Sequence, residues 1–271
     1  MLTRMVRVML RWPLLRRLFW RRWYQALTKR RQQSDFVFMN YGYIILNESE
    51  VAPALEPVHE AQRNWIQLYH HVVSKADIAG KQVLEVGSGR GGGAAYVHHY
   101  LKPAEMLGLD LASRAVEFSN RVHVADGLSY LQGDAEDLPL EDSSRDVVVN
   151  VESSHCYGSM RKFLAEVSRV LRPGGYFCYA DLRTVEGAAT LRQELEATGM
   201  NIVRQEDLAP NVMAALREDN AMKRDYIQKE APKWLQEPLE TFAGVEGSAI
   251  WRGLESGGTL YPHYLMQKPV A

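Results

Sequence analysis

From Lys81 onward, the chain alternates between short apolar runs and segments with helical spacing of their apolar residues. Short runs of Val, Ile and Leu are typical of buried strands, whereas apolar residues three and four positions apart are typical of amphipathic helices. The predicted strands are 82–87, 105–110, 128–134, 145–152, 176–181 and 201–208, and the predicted helices are 92–101, one from 113, 160–171 and 188–198. This alternation predicts an α/β fold with a mostly parallel sheet between helices.

The remaining segments frame this core. Residues 36–80 combine an aromatic stretch (36–47), a loop at Pro53 and Pro57, and a helix from about His59, and they are predicted to cap a ligand site. Residues 210–246 are predicted to form a helical cover, and the alternating segment 259–268 is predicted to be an edge strand. The domain organisation is therefore a 1–35 extension, a 36–80 cap and an 81–271 core.

The N-terminal extension is strongly basic and rich in aromatic residues. Residues 1–31 hold ten of the 32 Lys and Arg and none of the 33 Asp and Glu, so the other 240 residues carry 22 minus 33, or −11. An acidic body argues against nucleic-acid binding. Arginines interrupt every apolar run, which excludes a signal peptide or a spanning helix, but a helix on a membrane surface and a helix packed on the domain both fit. The two cysteines predict a reducing, cytoplasmic environment.

A glycine-rich turn follows the first strand of the core. In KQVLEVGSGRGGG (81–93), Gly87, Gly89 and Gly92 match G-x-G-x-x-G, which lets the main chain lie against a ligand at a helix N-terminus. Many dinucleotide enzymes share this pattern. The turn alone therefore does not identify the ligand.

Two acidic residues at predicted strand ends narrow the choice. Asp110 lies 23 positions after Gly87, where a carboxylate can accept both hydroxyls of a ribose. Asp134 follows the next strand, where it suits an adenine amino group and has no usual counterpart in nicotinamide sites. Either acid alone could be a helix N-cap. Together they favour S-adenosylmethionine over NAD and disfavour a dehydrogenase.

The successive motifs LEVGSGRGGG, GLDL, GDAEDLPL, DVVVNVESSHCY and FLAEVSRVLRPGGYF resemble those of class I S-adenosylmethionine-dependent methyltransferases. Within that superfamily the chain is similar to the phthiotriol and phenolphthiotriol dimycocerosate methyltransferases and the fatty-acid O-methyltransferases. The closer likeness extends to FVFMNYGY, NWIQLYH and GGTLYPHYL. The resemblance implies a Rossmann-like, seven-stranded, mostly parallel sheet with an N-terminal helical extension and a helical lid insertion.

The resemblance also implies which residues hold the cofactor. Glu85, Gly87 and Gly89 would shape the pocket for the methionine part, with Asn150 beside it. The ribose would lie at Asp110 and Leu111, and the adenine edge at Asp134 and Ala135. In the aromatic stretch, Asn40, Tyr41 and Tyr43 are expected either to close over the ligand or to form a satellite apolar cluster, and we include Tyr41 among the cofactor-binding candidates.

Methyl transfer to an alcohol benefits from a general base. His155 follows strand four, and Asp181 ends the adjacent strand, so we predict His155 as the base and Asp181 as the group that orients its imidazole. Related sugar and polyketide O-methyltransferases resemble this chain in both positions. The alternative is that both residues cap helices, and Glu152 is a second candidate base. An ionised fatty-acid carboxylate would need no base.

The leading functional hypothesis is an O-methyltransferase for a hydroxyl of a hydrophobic polyketide or lipid. The alternatives are carboxyl or C-methylation of a fatty acyl group, and a methyltransferase-fold protein that acts as a cyclase or scaffold. The histidine pairs His70–His71 and His98–His99 lie on predicted helices without a third ligand nearby in sequence, so we predict a metal-independent enzyme with surface or packing histidines. The sequence does not indicate an oligomeric state.

Overall fold

The computed structural model describes residues 37–270, and a seven-stranded sheet forms their centre. The strands are β1 Gln82–Val86, β2 Glu105–Asp110, β3 Leu128–Gln132, β4 Arg145–Val151, β5 Leu171–Ala180, β6 Arg183–Thr184, β7 Asn201–Asp207, β8 Thr259–Leu260 and β9 Pro262–Gln267. The order β3-β2-β1-β4-β5-β9-β7 is parallel from β3 to β5, whereas β9 runs antiparallel to both of its neighbours. The predicted seven-stranded, mostly parallel sheet is confirmed.

Eight α-helices lie among the described residues. They are α1 Arg63–Val73, α2 Gly92–Leu101, α3 Ser113–Val122, α4 Met160–Val170, α5 Val185–Glu196, α6 Ala209–Glu230, α7 Lys233–Phe242 and α8 Ala249–Glu255. A 3₁₀ turn at Pro57–Gln62 precedes α1. Helices α6 and α7 lie in the segment that was predicted to be a helical cover, whereas the short α8 was not predicted.

The end of α4 agrees with the prediction to within one residue, but the start of the next strand does not. The Arg172–Gly175 segment, predicted to end the helix and to precede a strand from 176, is part of β5, which begins at Leu171 directly after the helix. The glycines stay in the sheet region because they pair with the last strand: Gly174 N–H donates to the Lys268 carbonyl, and Lys268 N–H donates to the Gly175 carbonyl, each at 2.9 Å.

The predicted edge position of the last strand is wrong. Strand β9 lies between β5 and β7, and five of its six residues are buried. The true edge strand is β7, whose residues alternate between exposed and half-buried. A strand with two hydrogen-bonded neighbours and a helix layer on each face has no solvent side, which explains why its burial does not alternate.

The segment before α1 is held against the core by backbone contacts. Tyr43 N–H donates to the Asn64 carbonyl at 2.9 Å, and Ile44 N–H donates to the Asn211 carbonyl at 3.3 Å. This segment therefore bridges α1 and the helical cover. The predicted extension 1–35, with its membrane-surface alternative, lies outside the described residues. Between residues 37 and 270, no helix has the length and apolar character needed to cross a bilayer.

Candidate cofactor and methyl-transfer site

A cavity opens beyond the carboxyl ends of β1, β2 and β4, where ligands bind in open α/β sheets. The empty space within it, including the part that is open to solvent, is about 970 Å³. The wall includes the apolar side chains Val37, Phe38, Leu109, Leu111 and Val151. Because the segment that begins at Val37 supplies part of the wall, residues before the core domain help to enclose the site.

The glycine turn lies at the bottom of this cavity. Gly87 and Gly89 have φ angles of +77° and +54°, a conformation that glycine adopts without a steric penalty. A Cβ on Gly87 would lie 2.3 Å from Oγ of Ser153, and a Cβ on Gly93 would lie 2.1 Å from the ring of Tyr69. The glycines therefore allow the main chain to pass close to both side chains and leave the cavity open.

The Asp110 carboxylate is hydrogen-bonded to the glycine turn. Its Oδ2 accepts a hydrogen bond from Gly89 N–H and its Oδ1 from Ala112 N–H, each at 2.8 Å. Burial raises the pKa of Asp110, and these two backbone hydrogen bonds oppose the shift. Each carboxylate oxygen keeps further acceptor capacity, and both Asp110 and Leu111 line the cavity. The arrangement suits a ligand with neighbouring hydroxyl groups.

Asp134 and Ala135 line the same cavity after the end of β3. Oδ1 of Asp134 accepts a hydrogen bond from Glu136 N–H at 3.0 Å, which fixes the loop that follows. The structure thus brings the two acids of the sequence analysis to one cavity, as the parallel sheet requires.

Three of the predicted cofactor residues lie behind or outside the wall. Glu85 accepts a hydrogen bond from the Tyr69 hydroxyl at 2.7 Å, and burial raises the pKa of Glu85 to about 7. Nδ2 of the fully buried Asn150 lies 2.8 Å from the Val86 carbonyl. Tyr41 points away from the cavity, because its hydroxyl donates to the Phe242 carbonyl at 3.1 Å. These three side chains do not line the cavity themselves; their hydrogen bonds hold other residues in place.

Glu152 lines the cavity and has an uncommon backbone conformation. Its φ is +46°, which is uncommon for a residue other than glycine. Oε1 accepts hydrogen bonds from the Tyr261 hydroxyl at 2.6 Å and from Tyr41 N–H at 2.8 Å. Burial raises the pKa of Glu152 to about 7. These contacts anchor a carboxyl group in the wall through residues far away in sequence.

His155 and Asp181 form the predicted pair beside this wall. Nδ1 of His155 lies 2.7 Å from Oδ1 of Asp181, and His155 N–H donates to Oδ2 at 2.8 Å. The fully buried Asp181 also accepts hydrogen bonds from Ser154 Oγ and from Leu182 N–H, and Nη1 of Arg183 lies 3.1 Å from its Oδ2. His155 directly precedes Cys156, which lines the cavity, but His155 is not itself among the lining residues. Its side chain keeps 24% exposure.

The charges of this pair depend on each other. Burial lowers the pKa of His155, but the Asp181 carboxylate and Cys156 together outweigh that effect and raise the pKa well above its ordinary value. Burial raises the pKa of Asp181, yet His155 and Arg183 hold it far below its usual range. Asp181 therefore stays ionised and stabilises the imidazolium form of His155.

Several wall residues were missed in the sequence analysis. Ser153, Cys156 and Tyr157 line the cavity, and Tyr69 reaches it from α1. The first three lie within two positions of His155, in the motif that follows β4. Their place after the carboxyl end of a strand could have indicated that they face the ligand. Tyr69 was assigned to an apolar helix face, and no pattern indicated that its ring would face a glycine.

The comparisons with known proteins agree with this geometry. A family model described as a methyltransferase domain matches residues 84–179. The phthiotriol/phenolphthiotriol dimycocerosates methyltransferase of Mycobacterium tuberculosis is 40% identical over 249 residues, which cover 92% of each chain. The fatty-acid O-methyltransferase of Mycolicibacterium smegmatis is 37% identical and covers 91% of this chain and 88% of the relative.

Solved structures show the same fold at low sequence identity. The [4+2]-cyclase SpnF has a TM-score of 0.69 at 19% identity, and the similarity covers 92% of this chain and 95% of that one. The geranyl diphosphate C-methyltransferase of Streptomyces coelicolor A3(2), solved with S-adenosyl-L-homocysteine, has a TM-score of 0.61 at 14% identity and covers 90% and 98% of the two chains. The cofactor is S-adenosylmethionine. The chain belongs to the class I S-adenosylmethionine-dependent methyltransferases, in the group that contains the phthiotriol/phenolphthiotriol dimycocerosates methyltransferases and the fatty-acid O-methyltransferases.

Proposed function

We propose that this enzyme methylates a hydroxyl group of a hydrophobic small molecule, a lipid or a polyketide, with His155 as general base. The observation that carries the proposal is the 2.7 Å contact between Nδ1 of His155 and the buried carboxylate of Asp181, beside the cofactor cavity. The names of the similar methyltransferases support a lipid-like acceptor. An apolar wall that includes Val37 and Phe38 is consistent with such an acceptor.

The residues of the cavity fit the cofactor by their chemistry. Asp110 with Leu111 would hold the ribose, and Asp134 with Ala135 the adenine edge, because carboxylates accept hydrogen bonds from hydroxyl and amino groups. Gly87 and Gly89 give the methionine part access to the main chain. Glu85 and Asn150 support this turn from behind, and Tyr41 acts indirectly by donating its N–H to Glu152.

S-adenosylmethionine supplies a methyl group on a positively charged sulfur. His155 would accept the proton of the acceptor hydroxyl through Nε2, while Asp181 keeps the proton of the ring on Nδ1 and stabilises the imidazolium that forms. Glu152 places a carboxyl group in the wall, where its negative form attracts a cation. Because Asp181 raises the pKa of His155, the neutral base becomes available only at higher pH.

Carboxyl methylation of a fatty acid is the second candidate. It is favoured by the similarity to a fatty-acid O-methyltransferase and by the raised pKa of His155, because an imidazolium attracts a carboxylate. In this case the acceptor is already ionised, and His155 positions it without removing a proton.

An acceptor pair of equal chain length separates the two candidates. We would incubate the enzyme with methyl-labelled S-adenosylmethionine and either a long-chain secondary alcohol or the corresponding fatty acid, and measure label in the organic phase. The proposal expects labelled ether and a rate that rises with pH. Label in the fatty acid alone, at a rate that does not rise with pH, would replace it with the second candidate.

A further inference from the structure

A second cluster of ligating side chains lies away from the cofactor cavity. His71 of α1, Glu206 of β7 and His263 of β9 converge on one point. Nε2 of His71 lies 3.0 Å from Oε2 of Glu206, and Nδ1 of His263 lies 3.2 Å from the same oxygen. His71 and His263 are buried, and the Glu206 side chain keeps 33% exposure, which leaves a route from solvent.

The spacing of the three atoms suits a small divalent cation. Nitrogen and oxygen ligands lie about 2.0–2.2 Å from zinc, so two ligands at a tetrahedral angle are about 3.3 Å apart. The two contacts to Glu206 are close to this value, and all three atoms lie within 4.8 Å of one another. Two imidazoles and one carboxylate favour zinc over magnesium or calcium, which prefer oxygen ligands.

Neighbouring groups hold the first of these ligands in place. Nδ1 of His71 lies 2.6 Å from Oε1 of Glu50, whose Oε2 accepts a hydrogen bond from the Tyr43 hydroxyl at 2.8 Å. The ring of Tyr43 also stacks on His71, with centroids 4.6 Å apart. A carboxylate behind a ligating histidine is the usual support of a zinc site, because it fixes the tautomer and orients the ring.

A neighbouring side chain also orients Glu206. Nη2 of Arg204 donates to Oε1 of Glu206 at 2.7 Å, which leaves Oε2 directed at the two histidines. Without a cation, His71 can satisfy Glu50 and Glu206 together only if both of its nitrogens carry a proton, because a neutral imidazole has one donor. With a cation bound at Nε2, the neutral ring donates its Nδ1 proton to Glu50 and needs no second proton.

We propose that His71, Glu206 and His263 bind one Zn²⁺ ion, with water in the remaining position. The site joins α1 and the segment around Glu50 to the antiparallel part of the sheet. None of its three ligands lines the cofactor cavity, so the ion stabilises the fold around the cap and takes no part in methyl transfer. Sequence spacing missed the site because its ligands come from three elements, 135 and 57 positions apart.

The proposal is tested by metal titration of the full-length protein after treatment with a chelator. We expect one Zn²⁺ per chain, bound in competition with a chromogenic chelator, and a visible Co²⁺ spectrum of the tetrahedral type. The His263→Gln and Glu206→Gln variants should each lose at least about tenfold in affinity, and Glu50→Gln about 10–100-fold through its effect on His71. Affinity for S-adenosylhomocysteine should be retained in all three, which shows that they fold.

The matched control is the group Glu56, His59 and His99, which offers the same ligand types near the surface, with Glu56 and His99 exposed and His59 half-buried. The His99→Gln variant should bind Zn²⁺ as the wild type does. Three outcomes would overturn the proposal: no Zn²⁺ bound by the stripped wild type, unchanged affinity in both His263→Gln and Glu206→Gln, or loss of binding in His99→Gln.

Discussion

Nδ1 of His155 lies 2.7 Å from Oδ1 of Asp181, although the two residues are 26 positions apart. They meet because β4 and β5 are parallel neighbours, with Val151 paired to Ala180, so the residues that follow the two strands leave the sheet side by side. Asp181 directly follows its strand and is fully buried. The sheet topology therefore positions an ionised carboxylate behind an imidazole whose neighbour in sequence, Cys156, lines the cavity.

This relationship predicts the pH dependence of alcohol methylation. His155 must be neutral to accept a proton, and Asp181 raises its pKa, so kcat/KM should rise with pH through a value above the ordinary 6.5 or so. In Asp181→Asn the carboxylate is lost while burial remains, so the rising limb should move to lower pH and the plateau should fall. A pH profile of initial rates for both proteins checks this, and an unmoved limb would contradict the assignment.

The same shift has a consequence for stability. Because the pKa of His155 is raised in the folded state, the stabilisation from its pair with Asp181 should be complete below about pH 6.5 and decrease as the pH rises through the raised pKa. Urea unfolding of the wild type and of His155→Gln at several pH values measures it. The stability difference between the two should shrink at high pH, and a constant difference would argue against an ion pair.

Asp110 is predicted to be a determinant of cofactor affinity. Asp110→Ala removes a charged acceptor from the cavity and releases the N–H groups of Gly89 and Ala112, and losing such a hydrogen bond costs about 1.5–3 kcal/mol, or about 10–100-fold in affinity. Isothermal titration with S-adenosylhomocysteine measures the effect. The exposed Asp126→Ala serves as control. Equal affinity in the two variants would remove Asp110 from the ribose site.

Glu152 should favour the charged cofactor over its neutral product. In Glu152→Gln the hydrogen bonds from Tyr261 and Tyr41 can persist, but the negative charge is gone. We expect the ratio of S-adenosylmethionine to S-adenosylhomocysteine affinity to fall about fivefold. This corresponds to about 1 kcal/mol, a typical attraction between two opposite charges that solvent partly screens. Glu141→Gln, at an exposed position, should leave the ratio unchanged. A ratio unaffected by Glu152→Gln would place the sulfur far from this carboxyl group.

Gly93→Ala should destabilise the fold. The new Cβ would lie 2.1 Å from the ring of Tyr69, which is buried and held by its hydrogen bond to Glu85. Overpacking of this kind typically costs about 1–3 kcal/mol, more than the helix propensity gained by replacing glycine. Chemical unfolding measures the loss, and Ala95→Ser on the same helix should stay within about 0.5 kcal/mol of the wild type. A stable Gly93→Ala protein would mean that Tyr69 moves freely.

The strands and the acids at their ends were predictable because local sequence determines both. Buried parallel strands are continuous apolar runs, and the first polar residue after each run falls at the ligand-binding edge. Asp110 and Asp181 were found in this way, whereas Asp134 was found as the acid that follows β3, a mostly exposed strand at the sheet edge. His155 was found through the motif after β4, since a loop at that edge faces the ligand.

The remaining features depend on contacts distant in sequence. The pattern of 259–268 could not show that β9 enters between β5 and β7, because sheet order is decided by long-range pairing. Nor could it show that Tyr261 anchors Glu152, or that His71 meets His263 across Glu206. The sequence also could not show whether the pKa of His155 is raised or lowered, since this depends on the balance between burial and the Asp181 charge.

The central claim is that His155 acts as a base in methyl transfer to an alcohol, and single-turnover methylation by His155→Ala tests it most directly. We expect cofactor affinity close to that of the wild type and a rate at least about 10²-fold lower, the usual effect of removing a general base. His98→Ala, at a half-buried position of α2 that does not line the cavity, should keep the wild-type rate. Methylation by His155→Ala at the wild-type rate, with the same pH dependence, would contradict the account.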